Sequence, residues 1–300
     1  MLYIINPQRY KEYLEEKNYK YIFPLFTPMF KTKILEDIIV EDKLKGKIVG
    51  INLKPIDYRN ENHIKKFISN INKLKDEASK NIYMEGIEKW PLDIKKRIEI
   101  ETDLIFPDEL DLKISNISFI LEEILKIKSF LIEEEVLIIC KDKDIIFKII
   151  MIIYEKFPFI SILPNIEGGE TIFEEILSET GLSVFSVNDI DRSIKNYGII
   201  INIEKDMDIE LKMIKKDAIV FDFSNSHEFR NIKNCVLIED INIEDIIDVK
   251  SLLLPRELAS SVYENLTGND KARFSKIYSR DKLCTLDALI KSKKSLKGNI

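Results

Sequence analysis

The strongest constraint on the fold lies between residues 136 and 240. Six short apolar runs recur there: VLIIC (136–140), FISIL (159–163), LSVFSV (182–187), GIIINI (198–203), AIVFDF (218–223) and CVLIED (235–240). Near-continuous apolar runs of this length suit strands buried on both faces, as in a parallel sheet covered by helices. Helical segments separate them: DIIFKIIMIIYEKF (144–157), ETIFEEILSETG (170–181), DIDRSIKNYG (189–198) and a turn or two within DIELKMIKKD (208–217). Asp144 is expected to cap the first, and Asn188 or Asp189 the third. Gly181 closes the second at a position that suits a left-handed residue. Short crossovers of one hand place helices on both faces, so this half of the chain is expected to form a doubly wound sheet.

The first hundred residues alternate in the same way. LYIIN (2–6), KIVGINL (47–53) and NIYMEG (81–86) read as strands. Residues 7–18, 61–79 and 91–103 read as helices, with Asn6 as N-cap before Pro7 and Asn60 or Asn62 before the second. YIFPLFTPMF (21–30), with two prolines, reads as irregular packed chain. A long helix over 112–131, with Ser115 or Asn116 near its cap, reads as a connector. The expectation is therefore a two-domain α/β protein. A small N-terminal α/β domain (1–110) and a connecting helix (111–133) precede the doubly wound sheet (134–300). The latter carries C-terminal helices at 254–268, from Pro255 to Gly268, and around 282–293.

Composition narrows the function classes. Hydrophobic residues make up 45% of the chain and charged residues 33%, the balance of a chain that folds around a core. A net charge of −6 argues against generic nucleic-acid binding, which needs a basic face; the basic tail KSKKSLKG (291–298) reads as a solvated end. No segment reads as a membrane span, and FKIIMIIY (147–154) is too short for one. Cys140, Cys235 and Cys284 show neither zinc nor disulfide spacing, so no metal is expected and a reducing cytoplasm fits.

The segments FISILPN (159–165), ETIFEEILSETGLSVFSVNDIDRSIKNYGIIINI (170–203) and IKKDAIVFDFSNS (215–226) follow one another in an order that resembles a known group. That group comprises the NAD(P)-binding domains of the shikimate dehydrogenases, glutamyl-tRNA reductases and methylene-tetrahydrofolate dehydrogenases. The resemblance covers the C-terminal half. It implies a Rossmann-like fold of the dehydrogenase lineage and, in principle, a dinucleotide. The departures matter as much. The group's glycine-rich turn falls here at Cys140-Lys141-Asp142-Lys143-Asp144, which has no glycine. Side chains on every residue crowd a pyrophosphate, and Asp142 and Asp144 repel it, an effect Lys141 and Lys143 offset only in part. NAD(P) is thus disfavoured by the loop. In an alternative register Gly168-Gly169 forms the turn and Asp189, 21 positions on, meets the ribose, although Glu167 and Glu170 flank those glycines. The group's catalytic lysine–aspartate context and its reactive cysteine have no counterpart, so no catalytic residue carries over.

Two polar clusters follow strands. Asp222, Ser224, Asn225, Ser226 and His227 lie after AIVFDF, where open α/β sheets bind ligands, and Asp222 with His227 is the candidate proton-transfer pair. Lys54, Asp57 and Arg59 follow KIVGINL as candidates for a substrate cleft. Each also reads as turn chemistry or solvated charge. His63 reads as a surface residue, and the lone Trp90 beside Pro91 as a packing residue at a helix entry. Two functions follow. One is a non-catalytic binding or regulatory protein, with a small molecule or another protein as partner. The other is an NAD(P)-dependent oxidoreductase acting on a small metabolite through an altered cofactor loop.

Overall fold

The structure, a computed structural model, describes residues 1–17, 27–77, 79–87, 90–107, 110–163, 170–187, 189–205, 209–224, 226, 228–244, 249–268, 272–280 and 282–294. Two compact units emerge. The first combines Met1–Glu109 with Ile246–Gly268, and the second combines Leu110–Asp245 with Asn269–Ile300.

In the first unit, β1 (Leu2–Ile4) runs into α1 (Pro7–Glu16), whose first turn is capped by Asn6 accepting from the Arg9 N–H. β2 (Phe30–Val40) and β3 (Lys43–Asn52) form an antiparallel hairpin. Its two-residue turn, Glu41-Asp42, has φ of 48° and 59°. Both positions are left-handed, as a turn matched to strand twist requires. Asn60 caps α2 (Glu61–Leu74) by accepting from the Asn62 and His63 N–H groups. β4 (Ile82–Met84) and α3 (Leu92–Thr102) follow. β1 pairs parallel with both β3 and β4. Leu2, Ile4, Val49, Ile51, Ile82 and Met84 of these strands pack against Ile64, Phe67, Ile68 and Ile71 of α2. At Gly50 a Cβ would stand 2.5 Å from the Tyr10 ring, so only glycine lets that ring lie on β3.

The second unit begins with α4 (Asp111–Ile127), preceded by Leu110 and without a side-chain cap. Asn116 is not near a cap but wholly buried, donating to the Leu112 and Ala272 carbonyls and accepting from the Phe274 N–H. There follow β5 (Glu135–Ile139), α5 (Lys143–Ile153), β6 (Ile160–Leu163), α6 (Glu170–Thr180), β7 (Phe185–Ser186), α7 (Ile190–Ser193), β8 (Tyr197–Asn202), β9 (Ile219–Asp222) and β10 (Val236–Ile238). These six strands form one sheet in the order β10-β9-β8-β5-β6-β7, and each pairing is parallel. Every expected apolar run contributes one strand. Alternate residues Leu137, Ile139, Ile200, Val220 and Leu237 fill one side with Ile194 and Phe229. β11 (Asp240–Ile243) pairs antiparallel with Lys276–Ser279, which pairs in turn with Lys282–Cys284, and α9 (Leu286–Lys294) ends the unit.

Between those segments the chain returns to the first unit. β12 (Val249–Lys250) pairs antiparallel with β2, giving the order β12-β2-β3-β1-β4. α8 (Ser260–Thr267) ends at Gly268 with φ of 68°. The helix starts at Ser260 rather than at Pro255, and the linear reading had attached it to the second unit.

Candidate functional site

The order of the six-stranded sheet changes direction beside β5. The chain moves outward through β6 and β7, then returns to lay β8, β9 and β10 on the other side. Numbered within the sheet, the order is 3-2-1-4-5-6 reversed, with the switch between the first and fourth strands. The second unit is Rossmann-like. Its crevice lies outside the carboxyl ends of β5 and β8, where the residues after each strand face one another.

After β5 come Cys140, Lys141 and Asp142, then α5. Asp142, not Asp144, is the N-cap: its Oδ1 accepts from the Asp144 N–H at 2.9 Å and the Ile145 N–H at 3.2 Å. The reason is spacing. Lys143 is already helical, so the carboxylate one residue earlier reaches the orphan donors of the first turn. Those are the donors a Rossmann helix offers to a pyrophosphate. From the other side of the crevice Glu204 Oε1 accepts the Lys141 N–H at 2.7 Å, and its Oε2 lies 3.6 Å from Lys141 Nζ. The anion-binding end of α5 thus holds two of the protein's own carboxylates. Lys141 and Lys143 are exposed, and Lys141 is committed to Glu204. Cys140 is buried and its thiol is pushed up to about 12 by that burial.

A second polar cluster sits at the carboxyl ends of β8 and β9. Asn202 and Asp222 are register partners, 1% and 2% exposed. Asn202 Nδ2 donates to Asp222 Oδ1 at 3.0 Å, and the Ser224 hydroxyl donates to the same oxygen at 2.6 Å. Ser224 Oγ and Ser226 Oγ lie 2.7 Å apart. Asp222 Oδ2 and Asn202 Oδ1 are buried and accept no hydrogen bond from the described residues. Two adjacent buried acceptors without donors make a place for a donor group.

The structure therefore brings together Asp222 and Ser224 among the expected site residues, and Lys141 with Asp142 at the crevice. Asp189 is elsewhere employed: it caps α7 through the Arg192 N–H and pairs with the Arg192 guanidinium at 3.1 Å. Gly168, Gly169, Asn225 and His227 lie outside the described residues. In the first unit Lys54, Asp57 and Arg59 are all exposed, and Asp57 Oδ1 accepts the Arg59 N–H in a local turn. Asn202 and Glu204 escaped the sequence reading. Their signal was available, since Asn202 is the one polar residue of the GIIINI run and Glu204 follows it, at the end where ligands meet parallel strands. Among the described residues no three His, Cys, Asp or Glu side chains gather in a way that would hold a metal, and no helix is long and apolar enough to cross a membrane.

No protein-family model and no curated protein sequence matches the chain. Solved structures similar to it include the A chain of dipicolinate synthase from Bacillus subtilis, at 12% identity over 51% of this chain and 52% of that one, with a TM-score of 0.32. L-tryptophan dehydrogenase from Nostoc punctiforme is similar at 10% identity over 65% of this chain and 57% of that one, with a TM-score of 0.33. Shikimate dehydrogenase from Aquifex aeolicus is similar at 14% identity over 80% and 86%, with a TM-score of 0.28. The chain spans about half the length of the dipicolinate synthase chain and 57% of the tryptophan dehydrogenase.

Proposed function

We propose that this chain is a divergent Rossmann-like protein of the dehydrogenase lineage with a binding or regulatory role, and that its second unit does not hold a dinucleotide through the usual pyrophosphate contact. The observation that carries this reading is the double occupation of the α5 N-terminus by Asp142 and Glu204. An incoming pyrophosphate must displace the Asp142 cap, at about 1 kcal/mol. It then meets carboxylates a few ångströms away, each worth about 1 kcal/mol of repulsion in water. The partner is a small molecule or another protein, and the three free cysteines fit a reducing cytoplasm.

A second reading, an NAD(P)-dependent oxidoreductase with an altered cofactor loop, draws on the oxygens of Asp222 and Asn202 that have no donor among the described residues. On that reading Asp222 and His227 handle a proton, Ser224 and Asn225 meet the substrate, and Lys141, Lys143, Gly168, Gly169 and Asp189 serve the cofactor. Calorimetric titration with NADH and NADPH separates the two. Binding below millimolar overturns the first reading, and silence with both overturns the second.

A further inference from the structure

The first unit holds a cavity of about 260 Å³ at the carboxyl ends of its three parallel strands. Its walls include Asn6, Asn52, Tyr58, Phe67, Glu85 and Trp90. Trp90 packs edge-on against Tyr58, ring centroids 4.7 Å apart, and tilted against Phe67 at 5.4 Å. The aromatic wall is thus braced before any ligand arrives, which lowers the ordering cost of binding.

The polar groups of this cavity fall into two sets. Glu85 is fully engaged. It accepts from the Tyr3 hydroxyl at 3.0 Å, from Asn6 N at 2.9 Å, from Asn6 Nδ2 at 3.0 Å and from the Arg9 guanidinium. The other set is idle. Asn52 is 5% exposed and donates to the Lys54 carbonyl at 2.8 Å, but its Oδ1 accepts no hydrogen bond among the described residues. Neither the Tyr58 hydroxyl nor the Trp90 indole N–H takes part in one either. Gln8, which also lines the cavity, donates through Nε2 to Glu12 and keeps its Oε1 without a donor among the described residues. The described side chains of the lining therefore offer two acceptors, one donor and one hydroxyl that serves as both. Lys54 and Arg59 lie outside the lining, so among the described residues no free cation faces it, and the carboxylate that does has its lone pairs occupied.

We propose that this cavity is a binding site for a small, neutral, planar molecule that carries both a hydrogen-bond donor and an acceptor, such as an aromatic amide or a nucleobase edge. The ring stacks within the Tyr58, Phe67 and Trp90 wall, and its polar edge pairs with Asn52 Oδ1 and the free donors. An anion meets no unpaired cation among the described lining residues, and a cation meets no unpaired carboxylate, because Arg9 already matches the charge of Glu85. The proposal is independent of how the second unit treats dinucleotides, so either outcome of the NADH titration leaves it standing.

Trp90 is the only tryptophan of the chain, so its emission reports on the site directly. The full chain is titrated with benzamide and adenine as neutral planar probes, and with benzoate and benzylamine as charged counterparts of benzamide. Calorimetry checks each result. Benzamide and adenine are expected to change Trp90 emission saturably, with dissociation constants on the order of 1 mM for so few atoms. Benzoate and benzylamine are expected to bind at least tenfold more weakly. Asn52→Leu is expected to weaken benzamide at least tenfold. Tyr58→Phe, which removes only a hydroxyl, is expected to weaken it several-fold without moving the melting temperature. No saturable response to either neutral probe overturns the proposal. So does benzoate or benzylamine binding as well as benzamide, or unchanged benzamide affinity in both variants.

Discussion

Glu204 accepts the backbone N–H of Lys141 at 2.7 Å, and through that bond the loop after β8 closes on the loop after β5. The two loops border the crevice that a dinucleotide occupies in a doubly wound sheet. Together with the Asp142 cap, the contact gives the crevice the opposite electrostatic character from an anion site, and it does so with side chains alone.

Replacing those side chains should reopen the crevice. The double variant Asp142→Gly, Glu204→Ala frees the Asp144, Ile145 and Lys141 N–H groups. Its affinity for inorganic pyrophosphate is expected to rise at least tenfold over the unaltered protein, read by calorimetry at low salt. Equal affinity in the two proteins argues that some other feature excludes the anion.

The cap also carries stability. Asp142→Ala leaves the first-turn donors of α5 to water and is expected to cost about 1 kcal/mol. Asp142→Ser retains an acceptor and is expected to cost less than half of that. Urea unfolding midpoints, at constant slope, measure the difference.

Asp222 holds Asn202 and Ser224 in place at almost complete burial. Asp222→Ala strips both of their acceptor and is expected to destabilise the chain by roughly 2 kcal/mol, the cost of unpaired buried donors. Asp222→Asn keeps the shape and an acceptor oxygen and is expected to cost less. Thermal unfolding of the two variants should rank them in that order.

Acid sensitivity should be marked in the first unit, where two carboxylates are held far below their usual range. Hydrogen bonds from the Arg97 guanidinium hold Glu61 down at about 2, and bonds from Lys47 and then Ser79 hold Asp76 at about 2. A carboxylate whose folded value is depressed adds stability above its unfolded value. That contribution fades as pH falls from about 4.5 for Glu61, and 3.8 for Asp76, towards 2. Both carboxylates are exposed, so salt should weaken the effect. Arg97→Gln is expected to lower stability above about pH 4.5 at low salt and to leave it unchanged near pH 2, so that stability falls less on acidification than in the unaltered protein; urea unfolding followed by circular dichroism at each pH measures it, and added salt should shrink the difference.

Cys140 should be inert in the folded protein. Burial raises its thiol to about 12, so little thiolate exists at pH 8. Alkylation by iodoacetamide is expected to be on the order of a thousandfold slower than for a free thiol, mapped by mass spectrometry. Rapid labelling before unfolding contradicts the buried placement.

The sequence by itself determined the inner strands of the second sheet, because strands covered on both faces must be apolar throughout and leave no periodicity to misread, whereas the edge strand β7 is only two residues long and exposes Phe185. It determined several helix ends as well. Asn6 and Asn60 cap where their side chains meet free N–H groups, and Gly181 and Gly268 take positive φ where a Cβ would be strained. It did not reveal β2, whose run FKTKILEDIIV mixes charge into a partly exposed strand and turns through Glu41-Asp42 without glycine or asparagine. Nor did it place Ile246–Gly268 with the first unit, reach from Lys141 to Glu204 across 63 positions, or gather Asn52, Tyr58 and Trp90 around one cavity. Local spacing governs caps and strand burial because their partners lie within a few residues. Sites arise where separate strands end side by side, and only the tertiary structure decides which ends meet.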